Sequence, residues 1–132
     1  SMSWIINTDG GSWGNPGLAA CAFVAKDDSG NLRVKRGKYL GVATNNVAEY
    51  EGVLLALGSI KEKNLDFYLD SLLVVSQLQG KWKIKDENLK ILNSKIKDLT
   101  KNFNVSWNHV PREQNMEADA LVNETLDNHG SA

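Results

Sequence analysis

The feature that constrains this chain most is its first strand together with the turn that follows, at positions 4–17. The run begins with apolar, β-favouring residues, delivers one carboxylate at Asp9, and then enters a stretch of Gly, Asn and Pro. Because Gly and Asn favour positive φ and Pro removes a backbone donor, we expect the strand to end soon after Asp9. A carboxylate deep in an apolar strand is costly unless it is paired or binds a metal, whereas Asp also opens Asx-type turns. The run alone leaves both roles for Asp9 open.

Composition narrows the class of protein. The 132 residues suffice for one domain, which we expect at 4–126, between a tag scar at 1–3 and a short tail at 127–132. With a net charge of -1 the chain has no overall basic field, so any nucleic acid must be bound through local patches. The single Cys21 cannot form an internal disulfide, and no apolar run approaches the ~20 residues of a membrane span. We therefore expect a cytoplasmic monomer with no membrane segment and no evident protein partner.

The spacing of apolar residues predicts an α/β chain with the element order βββαβααβα. Three strands joined by short turns predict an antiparallel meander. The strand at 65–70 follows a helical crossover, so we expect it to lie parallel to the first strand in a five-stranded mixed sheet with helices on both faces. We predict strands from 4 to about 9 and at 18–26, 31–40, 65–70 and 103–109, and helices from 46 to about 63, from 71 or 72 to 78, from 86 or 88 to 102 and at 115–126.

Four carboxylates stand at the ends of predicted elements. Asp9 and Asp70 end the first and fourth strands, which we expect to be neighbours. Glu49 lies in the first turn of the first long helix, and Asp119 lies early in the last helix. Carboxylates crowded at one sheet edge repel one another and raise at least one pKa, and hard divalent cations relieve that repulsion. An all-oxygen set suits Mg²⁺ or Mn²⁺ rather than zinc, and two such ions with an activated water are suited to phosphodiester hydrolysis.

Each of these acids also has a structural interpretation. Glu49 stands three residues after Asn46, which matches a capping box, and Asp70 is placed to cap the helix that follows it. Asp119 is also consistent with a solvated helix position. Because the chain has 16 acidic residues, composition and periodicity permit a metal site without establishing one.

Four short runs surround these acids: TDGGSWGNPG at 8–17, TNNVAE at 44–49, DSLLVVSQL at 70–78 and HVPREQNMEADAL at 109–121. In this order, spacing and element context they resemble a type 1 ribonuclease H, and the resemblance covers residues 4–126. Any one run is weak evidence, whereas the four in order are highly specific. The resemblance implies a ribonuclease H fold.

The resemblance further implies an endonuclease that cleaves the RNA strand of an RNA–DNA hybrid and leaves 5′-phosphate and 3′-hydroxyl ends. Two Mg²⁺ ions, with Mn²⁺ as a substitute, would be held by Asp9, Glu49, Asp70 and Asp119. Asp9 would bridge both ions, and Asp119 would be the more mobile ligand.

The same resemblance implies a set of substrate contacts. Asn15, Asn45 and Asn46, with backbone N–H groups near Gly10 and Gly11, would face the minor groove of the hybrid, although helix capping is the alternative for Asn45 and Asn46. Glu49 would also accept a hydrogen bond from a 2′-hydroxyl. Thr44 resembles the position that holds a DNA phosphate.

Many bacterial members of the family have a long basic loop that grips the hybrid. In this chain only the short basic segment at 81–85 occupies the corresponding place. We expect Trp82 and its lysines to touch the DNA backbone, with packing of Trp82 on the sheet edge as the alternative. Arg112 is favoured over His109 as the group that assists product release.

Three other functions stay open. The first is a different nuclease or transferase with the same fold, which the Asn45-Asn46-x-x-Glu49 signature disfavours. The second is a catalytically weak or inactive nucleic-acid-binding module, and the third is a domain of a longer polyprotein. We favour a free-standing, active enzyme.

Overall fold

The computed structural model describes residues 2–130 of the chain. A short 3₁₀ helix, Arg112–Gln114, precedes the last α-helix. Among the described residues, no helix is long and apolar enough to cross a lipid bilayer. The strands and α-helices are β1 (Trp4–Gly14), β2 (Gly17–Lys26), β3 (Leu32–Ala43), α1 (Asn45–Ser59), β4 (Asn64–Leu69), α2 (Leu72–Leu78), α3 (Glu87–Thr100), β5 (Asn104–His109) and α4 (Met116–Gly130).

The five strands form one mixed sheet in the order β3-β2-β1-β4-β5. β1, β2 and β3 are antiparallel, whereas β1, β4 and β5 are parallel. The predicted meander and the predicted parallel crossover are therefore both confirmed. The parallel pairing of β1 with β4 ends at Asn7 opposite Tyr68, but the pairing with β2 continues to Gly14 opposite Gly17. The second half of β1 thus projects beyond the carboxyl end of β4.

Alternate residues of β2 belong to two separate cores, which confirms helices on both faces of the sheet. Phe23 belongs to the larger core, which also contains buried residues of α1, α2 and α3. Ala20 and Ala22 belong to a smaller core with Val122 and Leu126 of α4. This division follows from the two-residue period of a strand.

Helix α1 lies unusually close to β1 because two glycines meet at their contact. A Cβ on Gly10 would lie 2.2 Å from the backbone carbon of Ala48, and one on Gly52 would lie 2.9 Å from the carbonyl oxygen of Asp9. A side chain at either position would force the helix away from the strand. The glycines therefore set the distance between α1 and the part of β1 that carries Asp9.

The structure corrects several predicted boundaries. β1 does not stop after Asp9, because β2 supplies backbone partners as far as Gly14 and these hydrogen bonds outweigh the weak strand propensity of glycine. Helix α1 ends at Ser59 rather than near 63, and the next residue, Ile60, is extended and buried. Part of the predicted tail, 127–130, is helical, and His129 stacks on Tyr39 of β3 with ring centroids 4.7 Å apart. Residues 1, 131 and 132, which belong to the predicted scar and tail, lie outside the described residues.

Candidate active site

Asp9 lies in the middle of β1 instead of at a strand end, so the predicted junction with a turn and the Asx-turn alternative are both wrong. Its backbone pairs with Ala22 of β2, and β4 no longer runs beside it on the other side. Only 6 % of Asp9 is exposed. The carboxylate is therefore buried at the carboxyl end of β4, where parallel sheets collect ligands.

Glu49 projects from the second turn of α1, not from the first as predicted. Thr44 caps the helix by accepting a hydrogen bond from the Val47 N–H at 3.2 Å, so the capping box between Asn46 and Glu49 is absent. Glu49 Oε1 instead accepts a hydrogen bond from the Gly10 N–H. Its other oxygen, Oε2, is buried without a hydrogen-bond partner among the described residues.

Asp70 directly follows β4. It does not cap α2, because the Ser71 hydroxyl oxygen accepts the capping hydrogen bond from the Val74 N–H at 3.2 Å. The Asp70 Oδ2 atom lies 3.4 Å from Asn115 Nδ2, which also donates to the Thr8 carbonyl at 3.0 Å. Asn115 is itself almost wholly buried.

Asn115 is a site residue that sequence reasoning missed. It lies in the last of the four matched runs, at the junction with α4, but an amide with no charge gave no chemical signal. Its buried side chain ties β1 to Asp70, so it holds two of the carboxylate-bearing segments in position.

The three carboxylates of Asp9, Glu49 and Asp70 converge. One oxygen of each lies within 4.8 Å of the other two. Asp119 lies in the first turn of α4 and lines the same open cleft, which has a volume of about 550 Å³. Its carboxylate accepts a long hydrogen bond from Asn123 at 3.5 Å and lies 3.8 Å from Arg112. The structure therefore brings three of the predicted ligands together and places the fourth in the lining of the same cleft.

Burial and mutual repulsion oppose ionisation of this cluster. Burial, together with the charge of Asp70, raises the pKa of Asp9 from 3.8 to about 7, although a hydrogen bond with Glu49 acts in the other direction. Burial first, and then the charge of Asp9, raises the pKa of Glu49 well above its ordinary value. Because these like charges are buried together, a bound cation would relieve their repulsion.

The residues present fit a hard divalent cation. The ligand set is entirely oxygen, and an unpartnered, buried carboxylate oxygen such as Glu49 Oε2 is costly unless something positive binds it. Asp9, Glu49 and Asp70 could hold the ion directly, and Asp119 lines the same cleft.

We expect the stability of the cation-free protein to fall as the pH rises from 5 to 7.5. Asp9 has a pKa of 3.8 when unperturbed and about 7 in the fold, so the folded state binds more protons in this window. Deprotonation then costs about 2 kcal/mol of unfolding free energy, and Glu49 adds to it in the same direction. The check is to measure the free energy of unfolding by urea, in EDTA, across this pH range for the wild type and for Asp9→Asn. The difference between the two profiles removes the contribution of groups that titrate alike in both proteins. Parallel pH profiles for the two proteins would contradict the expectation, and Mg²⁺ should flatten the wild-type profile.

A polar wall flanks the cluster on the side of α1. Asn45 Oδ1 accepts from the N–H and hydroxyl of Ser12, at 3.0 and 2.9 Å, and the Asn45 N–H donates to Asn15 Oδ1 at 3.0 Å. Asn46 lines the cleft beside them. Because the Asn45 carbonyl oxygen is occupied, its amide NH₂ is the group left to meet a ligand. Thr44 caps α1, and its hydroxyl proton can still be donated to a ligand.

The remaining predicted residues lie at different distances from the cluster. Arg112 belongs to the 3₁₀ helix, lines the cleft and has a side chain that is 73 % exposed. His109 ends β5, and its Nε2 lies 3.3 Å from the Asp70 carbonyl oxygen. Trp82 lies between α2 and α3 and is 47 % exposed, whereas its neighbour Ile84 packs against the larger core. The contact of Trp82 with DNA therefore stays a prediction, as does its alternative, packing on the sheet edge.

Comparison with known proteins defines the class. The family described as "Reverse transcriptase-like" matches residues 7–125. The structure is similar to that of LC11-RNase H1, isolated from compost, with a TM-score of 0.90, 39 % identity and 96 % of each chain covered. A second structure of that protein, with a TM-score of 0.89, is its complex with an RNA/DNA hybrid. The fold is thus that of a ribonuclease H-like protein.

Proteins of similar sequence define the family to which the chain belongs within this class. The chain is 39 % identical over 124 residues to Ribonuclease HI of Halobacterium salinarum, and 37 % identical over 131 residues to Bifunctional protein Rv2228c of Mycobacterium tuberculosis. These matches cover 90 % and 96 % of this chain but only 62 % and 36 % of the relatives. The chain belongs to the type 1 ribonuclease H family, as its sequence motifs predict.

Proposed function

We propose that this protein is an endoribonuclease that hydrolyses the RNA strand of RNA–DNA hybrids, with 5′-phosphate and 3′-hydroxyl products. The observation that carries the proposal is the convergence of Asp9, Glu49 and Asp70 around an unsatisfied buried oxygen, in a chain of the ribonuclease H family. The complex of LC11-RNase H1 with an RNA/DNA hybrid supports the choice of substrate. Monomeric state and cytoplasmic location stay predictions.

In the proposed site, Asp9, Glu49 and Asp70 would hold two Mg²⁺ ions, or Mn²⁺ in their place, with Asp119 as the fourth ligand. Bound ions of this kind stabilise charge on a phosphate and lower the pKa of an attacking water. The protein's own contribution is to fix the carboxylates: Gly10 holds one Glu49 oxygen, and Asn115 holds Asp70. The remaining carboxylate oxygens would then be free to bind the ions.

Recognition of RNA in this proposal comes from the polar wall. The side-chain amides of Asn45, Asn15 and Asn46 face the minor groove, where 2′-hydroxyls distinguish RNA from DNA. The Gly10 N–H, predicted for the same role, instead donates to Glu49. The Thr44 hydroxyl meets a phosphate of the DNA strand. Arg112, exposed at the rim and within 3.8 Å of Asp119, is placed to assist release of the product.

The test is cleavage of one labelled RNA strand in Mg²⁺, presented in a hybrid, in double-stranded RNA and alone. We expect cleavage of the hybrid only, and its abolition by Asp70→Asn, because an amide cannot supply a second anionic ligand. Asp98→Asn on the exposed face of α3 is the matched control and should cleave normally. Tight hybrid binding without cleavage in Mg²⁺ or Mn²⁺ would instead indicate an inactive binding module.

A separate prediction concerns the segment that carries Trp82. Replacing Lys81, Lys83 and Lys85 together by Gln should raise the KM for the hybrid several-fold and reduce its salt dependence, because three cations leave the DNA backbone. The turnover number should change little, since the carboxylate cluster is untouched. Steady-state kinetics at two salt concentrations measure both effects, and an unchanged KM would remove this segment from the interface.

A further inference from the structure

Trp13 is an exposed aromatic side chain in the wall of the catalytic cleft, and the proposed mechanism does not use it. Strand residues two apart share a face, so Asp9, Gly11 and Trp13 lie on the same face of β1. At Gly11 this face is covered by α4, because a Cβ there would lie 3.8 Å from Val122. Two residues further on, Trp13 is 46 % exposed and lines the cleft.

The backbone that carries Trp13 is held on both sides. Its partner in β2 is Leu18, and the pairing extends one residue further to Gly14 and Gly17. On the other side Ser12 donates two hydrogen bonds to Asn45 at the start of α1. An aromatic ring on such a fixed backbone loses little conformational freedom when a ligand covers it.

The charges around Trp13 offer little attraction to a polyanion. Among the described residues that line the cleft, Arg112 alone is cationic, and it lies near Asp119. The wall nearest to Trp13 is formed by uncharged side chains such as Ser12 and Asn45. Besides hydrogen bonds, apolar contact is therefore the main way in which this wall can contribute affinity for a nucleic acid.

We infer that Trp13 contacts the RNA strand of the bound hybrid and supplies affinity that does not depend on charge. The inference rests on the proposed function. Bases in a duplex are stacked inward, so the indole would lie against ribose and base edges in the wide, shallow minor groove. Four residues of extended strand separate Trp13 from Asp9 by about 13 Å. Since successive nucleotides rise about 3.4 Å, the contact lies a few nucleotides from the scissile phosphate.

The test measures the Kd of a short RNA–DNA hybrid in Mg²⁺ over a range of salt, in an Asp70→Asn background that prevents cleavage. Trp13→Ala should raise the Kd about 10-fold at every salt concentration, because removing about 60 Å² of apolar contact surface is worth roughly that factor. The slope of log K against log salt should not change. Trp13→Arg should steepen the slope by about 0.9, because it adds one phosphate contact. Trp13→Phe should retain most of the affinity.

Leu99→Ala is the matched control and should leave the Kd unchanged, since Leu99 is also an apolar side chain that is 47 % exposed but lies on α3, outside the cleft. In a Trp82→Phe background, which removes the other indole expected near the hybrid, the change in fluorescence on binding should be lost with Trp13→Phe. A Kd within twofold of the parent for Trp13→Ala, or a loss of affinity accompanied by a shallower salt slope, would overturn the inference. If Trp13→Ala fails to fold, the slope of Trp13→Arg and the fluorescence of Trp13→Phe decide alone.

The two proposals can fail separately. Binding that depends on Trp13, without cleavage by the wild type, would overturn the proposed function alone. Cleavage with binding that does not depend on Trp13 would overturn this inference alone. A parent protein that binds no hybrid would overturn both.

Discussion

Asp9→Asn is expected to abolish RNA cleavage while making the cation-free protein more stable. The amide removes an anionic ligand at the centre of the cluster, which should lower the cleavage rate by roughly 10³-fold or more. It also removes a buried charge whose pKa the fold raises from 3.8 to about 7. At pH 8 this should increase the free energy of unfolding by about 2–4 kcal/mol in EDTA.

Both effects are measurable on one preparation, by hybrid cleavage in Mg²⁺ and by urea unfolding in EDTA. Asp28→Asn, in the exposed turn after β2, is the control and should change neither quantity. Loss of both activity and stability would mean that the amide disrupts the site instead of neutralising it. Full activity would remove Asp9 from the catalytic set.

Gly10→Ala is expected to destabilise the fold by about 3 kcal/mol or more, which corresponds to a fall in Tm of roughly 10 °C. The new Cβ would lie 2.2 Å from the backbone carbon of Ala48 and 2.4 Å from the Glu49 nitrogen. Backbone atoms cannot rotate away, so α1 would have to move off β1. That movement would displace the Glu49 carboxylate, and cleavage should fall even in the folded fraction.

Gly11→Ala is a control in the adjacent position. There the new Cβ would meet only Val122 Cγ1, at an ordinary contact distance of 3.8 Å. We expect a change in unfolding free energy of less than about 1 kcal/mol, because no atom has to move. Differential scanning calorimetry of both variants compares them directly. Equal losses at the two positions would show that general strand propensity, rather than the close approach of α1, is what matters.

The two predictions reflect a conflict in this site between bringing the carboxylates together and keeping the cation-free fold stable. Close approach of α1 to β1 brings Glu49 beside Asp9, and the burial that results raises the pKa of both carboxylates. The fold is therefore least stable, without a cation, in the state that binds a cation best. Binding of a divalent ion offsets this cost, because a ligand that binds only the folded state stabilises it by mass action.

Most of the architecture could be predicted from local patterns. Apolar spacing located all five strands and four α-helices in the correct order, and the handedness and connection rules placed β4 beside β1. The errors concern boundaries. β1 continues to Gly14 because β2 pairs with it, and α4 continues to Gly130, where His129 stacks on Tyr39. Both extensions depend on partners from distant segments, which a local window does not contain.

The sequence by itself determined the family, the order of the elements and the four acids, because motif spacing and ligand chemistry are written along the chain. Only the tertiary structure decided how those acids behave. Gly10 binds Glu49 across 39 positions, and Asn115 binds Asp70 across 45. One Glu49 oxygen is left buried without a hydrogen-bond partner in the described part of the chain, and Thr44 and Ser71 take the capping roles predicted as alternatives for Glu49 and Asp70. The burial, the pKa and the hydrogen-bond partners of each carboxylate depend on residues that come together only when the chain folds. The chemistry of the cluster is therefore decided by the tertiary structure.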